Sequence, residues 1–246
     1  MRQVQHLQDT RQPKLWAVIS LAEVVQENSL VVDRLDSLAV VSSAIEVDTI
    51  RPRRQLLSAH QHVVSEIAKQ WDILPVSFGL VANDDSELIS VISSNTDELQ
   101  EALTRVSGKV EMNLLMSWAV DNVFQYLVEK HPDMQAARDH IASGQASRDE
   151  MIELGRQFDQ LLQAERAAHA ETITTGLADV CDAIEVQDAK VETEIVRAQC
   201  LIPREAEEAF TAAIEAIAAR FDDKYAFAFN GPWPPYSFVH LKLSVR

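Results

Sequence analysis

Residues Gly231–Phe238 read GPWPPYSF and hold three of the chain's eight prolines and three of its fifteen aromatic residues. Each proline fixes φ at about −65°, lacks a backbone N–H, and restricts the residue before it. The segment is therefore predicted to be a stiff, extended excursion, and neither a helix nor a central strand. Aromatic side chains held on such a segment lose little entropy on ordering, which suits a docking element.

Two roles are open for this segment. In the first it is a structural plug, with Trp233 and Phe238 buried while the prolines steer the chain between two predicted strands. In the second it binds a partner, and both hold if one face packs and the other is exposed. The residues considered for either role are Gly231, Pro232, Trp233, Pro234, Pro235, Tyr236 and Phe238.

Composition limits the class of protein. The chain has 246 residues, of which 47% are hydrophobic and 24% charged, so it can bury a core and is globular. Its net charge of −16 disfavours nucleic-acid binding, which needs clustered basic residues, and it favours solubility. From Lys224 onward there are three basic residues and no acidic ones, so the GPWPPYSF segment lies at the basic end of an acidic protein.

The cysteines and the N-terminus indicate a cellular compartment. Cys181 and Cys200 are the only cysteines and lie outside any CxxC, which predicts two reduced, mostly buried thiols. Residues 1–14 are polar and lack the apolar region of a signal peptide. No run approaches the ~18 apolar residues of a membrane helix. We therefore expect a soluble, cytoplasmic protein without membrane insertion.

The periodicity of apolar residues predicts a mixed series of elements. Helices are predicted over 52–71, 84–105, 147–184 and from Pro203 to Phe221, with further helical segments interrupted by Pro132 and Gly144. The helix over 147–184 would be roughly 55 Å long, so part of it is expected to project and to offer a surface for a partner. Strands are predicted at Leu15–Leu21, Leu38–Val47, Val76–Val81, Lys109–Met116, Thr193–Ile202, Tyr225–Phe229 and Val239–Val245.

This order favours an α+β fold with two modified ferredoxin-like α/β sandwich domains and a long helical insertion in the second. A single α/β sheet is the alternative. The predicted organisation is a flexible N-terminal arm at 1–13, an N-terminal ferredoxin-like domain at 14–108, a C-terminal α+β domain at 109–230, and a Pro/aromatic C-terminal segment at 231–246.

Nothing in the sequence argues for catalysis or for a cofactor. The motifs GxGxxG, GxxxxGK[ST], HExxH and GxSxG are absent. His60 falls on an apolar helical stripe and is predicted to be a hydrogen-bonded core histidine, whereas Glu165 and His169 are predicted to pair on a helix surface. The acidic pairs Asp84-Asp85 and Asp222-Asp223 lack the further oxygen ligands that a cation site needs. No catalytic, cofactor or metal site is predicted.

Several segments resemble one family. Residues 231–239, GPWPPYSFV, are similar to the C-terminal signature of the gas vesicle protein GvpL/GvpF family. Family-like segments occur in the same order at 38–43 (LAVVSS), 74–79 (LPVSFG), 108–111 (GKVE) and 201–204 (LIPR). The chain departs from the family pattern at Ser77, Leu80 and Met112, where Arg, Thr and Trp are usual.

The resemblance implies a non-enzymatic accessory protein of gas vesicle formation, built from two ferredoxin-related domains and located with gas vesicles. It implies association with the small hydrophobic shell protein GvpA and with other accessory proteins. A small-ligand sensor or enzyme on ferredoxin-like domains is the competing hypothesis, because fold alone does not exclude it. A helical adaptor that uses the helix over 147–184 is a third.

Overall fold

The computed structural model describes residues 16–18, 30–35, 38–43, 53–79, 82–144 and 146–241. The arm predicted over 1–13 lies outside these residues. The chain forms two compact units, of which the second is Met112–Asn230. The first unit combines the chain up to Glu111 with the chain from Gly231 on. The chain therefore leaves the first unit and returns to it, while the four-part domain assignment made from the sequence stays a prediction.

The first unit contains a four-stranded mixed sheet. Strand β1 pairs in parallel with both β3 and β4, and β2 pairs antiparallel with β3, which gives the order β2-β3-β1-β4. The strands are β1 (Trp16–Val18), β2 (Leu30–Leu35), β3 (Leu38–Ser43) and β4 (Ile73–Leu74).

Both faces of β3 are covered, which explains its unbroken apolar run. Leu38 and Val40 pack with the helices α2 (Asp85–Ser94) and α3 (Thr96–Val106). Ala39 and Val41 point to the opposite face and pack with Val64 and other residues of the helix α1 (Arg54–Ala68). The first unit therefore has helices on both faces of its sheet.

One predicted helix is two helices in the structure. The expected helix over 84–105 is interrupted at Asn95, whose backbone has φ −123° and ψ 21°. The Asn95 side-chain amide donates a hydrogen bond to the Val91 carbonyl at 2.6 Å. Such a side-chain bond replaces a backbone hydrogen bond of the helix, so α2 ends at this point.

The strand predicted at Val76–Val81 is wrong for the residues that are described. The strand is Ile73–Leu74, and it ends before Pro75, which lacks the N–H that a ladder needs. Residues 78–79 form a turn in which Gly79 has φ +94°, and residues 80–81 lie outside the described part of the chain. The two earlier strand predictions correspond to β1 and β3, whose predicted flanks are likewise outside the described residues.

The second unit packs a sheet of order β6-β7-β5-β8 with four helices. Strands β6 and β7 are antiparallel, with Ile184 opposite Cys200. The strands are β5 (Lys109–Trp118), β6 (Ala183–Gln187), β7 (Glu194–Pro203) and β8 (Tyr225–Trp233). The helices are α4 (Val123–Glu129), α5 (Pro132–Ala142), α6 (Arg148–Leu177) and α7 (Glu207–Ala218).

The long helix α6 is shorter than predicted. It has 30 residues, so it is about 45 Å long, and it ends at Leu177 and not at Ile184. Its start is set by a capping box between Ser147 and Glu150. The residues after it form β6 because Ile184 and Val186 alternate with polar residues and pair with β7. Buried side chains extend along α6, so it packs on its unit over most of its length; they are Leu154, Leu162, Ile173 and Leu177.

The fold is thus mixed α/β with seven α-helices in the described part of the chain. The prediction of a mixed fold is confirmed, and the finer assignment of two ferredoxin-like domains stays a proposal. At the C-terminal end, residues 239–241 form no strand, and the rest of the strand predicted at Val239–Val245 lies outside the described residues.

Candidate functional site: the proline and aromatic segment

The GPWPPYSF segment continues an edge strand and then turns. Gly231, Pro232 and Trp233 are the last residues of β8, which is at the end of its sheet, where proline is tolerated. The Gly231–Pro232 peptide is cis, and Gly231 has φ +146°, a backbone conformation that favours glycine. Residues Tyr236–Phe238 form one 3₁₀ turn, so the expectation that the segment contains no helix is wrong at this short stretch.

The second half of the segment packs into the core of the first unit. Pro234 and Pro235 are buried. Tyr236 contacts the cluster that joins β3 to α1, and Phe238 contacts the cluster that joins β3 to α2 and α3. Within three residues the segment therefore reaches two apolar clusters of this unit, one on each face of β3.

A buried carboxylate holds the turn in place. The backbone N–H of Ser237 donates to Glu111 Oε2 at 2.8 Å, and the Ser237 hydroxyl donates to Glu111 Oε1 at 2.9 Å. Glu111 is only 5% exposed. Two hydrogen bonds from one residue to the two oxygens of a single side chain fix both the position and the orientation of the turn.

The first half of the segment faces solvent. Gly231 and Pro232 are exposed, and Trp233 is half-buried. The segment therefore has a packed half, as the structural role predicts, and a partly exposed half, as the partner-binding role requires.

Burial changes the chemistry of one side chain here. Burial raises the pKa of Tyr236 to about 12, so its hydroxyl keeps its proton to a higher pH than that of an exposed tyrosine. The segment supplies hydrophobic surface and a neutral hydroxyl, and its Ser237 is hydrogen-bonded to Glu111. This arrangement is suited to packing and to binding a protein surface.

His60 follows the sequence-based prediction, whereas the His169 side chain is mostly buried and does not lie on a solvated helix surface. His60 is buried, and its Nε2 lies 2.9 Å from the Val76 carbonyl oxygen, which confirms a core histidine. His169 Nε2 lies 3.6 Å from Glu165 Oε2, and burial lowers the pKa of His169.

Sequence reasoning missed the aromatic neighbours of His169. Its ring lies 5.5 Å from the ring of Phe221 and 5.3 Å from the ring of Tyr225. The alternation of large residues in β8 indicated an apolar face, but nothing in the sequence indicated that α6 would lie against it.

The remaining polar candidates have structural partners. Asp84 accepts a hydrogen bond from the Glu87 N–H and caps α2, and Asp222 accepts one from the Lys224 N–H in a turn. Cys181 and Cys200 are reduced thiols, and a hydrogen bond with Cys200 lowers the pKa of Cys181.

The described residues contain neither a group arranged for a metal ion nor a helix suited to a membrane. No group of three or more histidine, cysteine, aspartate or glutamate side chains in the described ranges is arranged to hold a metal ion. Among the helices that the structure describes, none is both long enough and apolar enough to cross a bilayer.

The fold and the site define a two-unit α/β protein whose C-terminal segment completes the core of its first unit. This chain belongs to the gas vesicle synthesis protein GvpL/GvpF family, whose sequence model matches residues 7–240. The resemblance noted in the sequence is thereby confirmed.

Individual relatives cover most of the chain. Gas vesicle protein F of Dolichospermum flosaquae is 30% identical over 203 residues, which span 81% of this chain and 82% of the relative. Gas vesicle protein L2 of Halobacterium salinarum is 25% identical over 80% of this chain and 75% of its own length.

Solved structures share the fold. The crystal structure of GvpF from Anabaena sp. PCC7120 has a TM-score of 0.77 at 22% identity and covers 87% of this chain and 88% of that protein. GvpF from Microcystis aeruginosa has a TM-score of 0.74 at 22% identity, over 86% of this chain and 89% of that protein.

Proposed function

We propose that this chain is a non-enzymatic accessory protein of gas vesicle formation, which binds the shell protein GvpA and other accessory proteins during nucleation or assembly. The family match over residues 7–240 carries the proposal. We place the protein in the cytoplasm, associated with gas vesicles. A ferredoxin-related origin of both units is part of the same proposal.

The charge of the chain supports this role. A hydrophobic shell subunit must stay soluble before it assembles, and a partner with a net charge of −16 resists association with itself. The sequence has no acidic residue after Asp223, and the GPWPPYSF segment itself contains no charged residue. This composition resembles the centre of protein interfaces, where charged residues are rare.

We assign the docking role to the exposed part of the segment. Pro232 is exposed and Trp233 is half-buried, on a backbone that the prolines stiffen. Pro234, Tyr236 and Phe238 hold this part in position through the core of the first unit.

The two roles are separated by point variants. We expect Trp233→Ala to weaken capture of co-expressed GvpA, with a smaller loss of stability than the ~3–5 kcal/mol of a fully buried Trp. Tyr236→Ala is the matched control, since it removes an aromatic residue from the packed part and should mainly lower the melting temperature. Affinity capture and a melting curve are measured for each variant.

Two results would contradict the proposal at different levels. Unchanged capture by Trp233→Ala would remove the docking role from the segment and leave the family role intact. No association with GvpA, together with normal vesicles after deletion of the gene, would overturn the proposed function itself.

A further inference from the structure

Strand β8 presents an open edge in the second unit. It is the last strand in the order β6-β7-β5-β8, so no described strand pairs with its outer side. The strand is nine residues long, and none of its residues is buried. Its sequence, YAFAFNGPW, contains no charged residue. An edge of this length and composition offers backbone hydrogen-bonding groups and apolar surface to another chain.

The opposite edge of the same sheet is protected. Strand β6 has only five residues and carries Glu185 at its centre. Asp182 and Asp188 flank it on either side. Short edge strands and charged side chains both discourage pairing with other strands. Neither form of protection is present in β8 between Tyr225 and Asn230.

The pairing of β8 with β5 shows which backbone groups face outward. The Ala119 N–H donates to the Lys224 carbonyl at 2.7 Å. Further along, Asn113 Nδ2 donates to Asn230 Oδ1 at 3.4 Å. Both contacts fit one antiparallel register, in which the even-numbered residues of β8 bond to β5. Because backbone groups alternate in direction along a strand, those of the odd-numbered residues point away from β5.

The odd-numbered residues also carry the large side chains of β8. The rings of Phe227 and Phe229 lie on the helical side of the sheet, and the Phe229 ring lies 6.0 Å from that of Phe210 on α7. Phe229 is nevertheless 39% exposed. The other side of the strand presents the small, exposed residues Ala226 and Ala228. An added strand would therefore gain apolar contacts on one side and meet little obstruction on the other.

From this open, uncharged edge we propose that β8 binds an extended segment of a partner protein, which joins the sheet as a fifth strand. The bound segment is uncharged and has apolar residues at alternate positions, which pack beside Phe227 and Phe229. The inference rests on the proposed function, because Pro232 of the docking segment is part of the same strand and a hydrophobic shell subunit is a source of such a segment.

Other occupants fit this edge less well. A second copy of the chain would bring a further net charge of −16, which opposes self-association. A helix bonds its own backbone groups internally and leaves those of β8 to water. An uncharged extended segment satisfies both the backbone groups and the apolar side chains of the edge.

The probe is a synthetic eight-residue peptide of alternating valine and threonine with blocked termini. Amide exchange of the full-length protein is followed residue by residue by NMR, with and without the peptide. We expect exchange to slow at Phe227 and Phe229, whose N–H groups gain acceptors, and to change little at Ala226 and Ala228, which already bond to β5. Binding should be insensitive to salt, because no charges pair.

A second peptide separates strand addition from nonspecific hydrophobic binding. It has the same sequence, but its backbone nitrogens are methylated, so it keeps the side chains and loses the hydrogen-bond donors. We expect it to bind at least about tenfold more weakly, since several interchain hydrogen bonds are lost. This comparison uses the unaltered protein and does not depend on how variants fold.

Variants of the exposed Phe229 locate the site. Phe229→Lys places a charge on the edge, and Phe229→Pro removes an outward N–H without removing a hydrogen bond to β5. Each should weaken both peptide binding and capture of GvpA about tenfold, while Phe229→Ala, which keeps the N–H, should weaken them less. Val186→Lys is the matched control on the exposed β6 edge and should leave both unchanged. The urea midpoint of each variant is measured alongside.

The inference is overturned by unchanged exchange at Phe227 and Phe229, by equal binding of the methylated peptide, or by equal effects of Phe229→Lys and Val186→Lys. Dimerisation of the chain that Phe229→Lys abolishes would assign the edge to a second copy and also overturn it. Capture of GvpA that the Phe229 variants leave unchanged would overturn this inference alone. Absence of capture by the unaltered chain, with protection by the peptide retained, would overturn the proposed function alone.

Discussion

Glu111 and Ser237 are 126 residues apart in sequence and joined by two hydrogen bonds in the first unit. Burying a carboxyl group costs free energy unless hydrogen bonds satisfy its oxygens. Loss of Ser237 would therefore leave Glu111 with fewer partners, and loss of Glu111 would release the turn that contains Ser237. The C-terminal turn is therefore positioned by polar contacts as well as by the apolar contacts of Tyr236 and Phe238.

Variants of this pair should lower stability by unequal amounts. We expect Glu111→Gln to reduce the free energy of unfolding by about 1–3 kcal/mol, because an amide has only one acceptor oxygen in place of the two that bind Ser237. Ser237→Ala should cost less, since its backbone N–H still donates to Glu111. Urea denaturation of both single variants and of the double variant measures the coupling, and strictly additive effects would contradict a direct link.

The hydroxyl of Tyr236 makes stability depend on alkaline pH. Its pKa in the folded protein is about 12, against 10.0 as the ordinary value. Between these values the unfolded chain loses its proton first, so the stabilisation present below pH 10 is lost as the pH rises through 12. Tyr236→Phe should make this loss shallower.

Urea denaturation across this pH range, with tyrosinate absorbance as a second readout, checks that expectation. Tyr225 has a pKa of about 12 as well, so Tyr225→Phe serves as the comparison. An unchanged slope in Tyr236→Phe would show that this hydroxyl is not buried in solution.

At the scale of elements, the helix α6 contains two glycines in different surroundings. Gly176 lies close to α7, and a Cβ there would be 2.7 Å from Ile217 Cδ1. At Gly155 the same atom would meet nothing within 4 Å. Gly176 therefore permits a close helix contact, whereas a methyl group at Gly155 would touch none of the described residues.

Alanine substitutions should separate these two glycines. Gly155→Ala should raise the free energy of unfolding by about 0.5–1 kcal/mol through helix propensity. Gly176→Ala should gain less or lose stability, because Ile217 must shift to accommodate the methyl group. Chemical denaturation of both variants tests this, and a larger gain for Gly176→Ala would be inconsistent with the observed contact.

Local patterns were sufficient to predict some elements and insufficient for others. The stripe of α1 was predictable because it depends on nearby residues. The helix predicted from Pro203 to Phe221 is Glu207–Ala218 in the structure, because Pro203 ends β7 and one 3₁₀ turn at Arg204–Ala206 precedes α7. The break at Asn95 was not predictable, since it depends on one side chain bonding to its own helix. The candidate segment was recognisable from its prolines, whereas its packing on β3 and its bond to Glu111 depend on contacts between distant parts of the chain.

At the scale of the whole molecule, the first unit is made of two separate parts of the sequence. Removing residues 231–246 therefore takes core contacts of Tyr236 and Phe238 from that unit. A truncated chain that fails to bind a partner would not by itself show that the segment is the binding surface.

Hydrogen exchange should show that the first unit depends on residues 231–246 more than the second unit does. In a chain that ends at Asn230, we expect amide protection to fall in α1 and α3, whereas α6 and β7 keep more of theirs. Comparison with the full-length protein by mass spectrometry measures both units at once. Equal loss of protection in both would contradict the division of the chain into these units.

The return of the chain at Gly231 also bears on how the protein is made. A ribosome releases residues in order, and domains generally fold as units during synthesis. The second unit, Met112–Asn230, is contiguous and can be completed as soon as it emerges. The first unit acquires the Tyr236–Phe238 turn and its bond to Glu111 only after the second unit has been synthesised, so its set of native contacts is the later of the two to be completed.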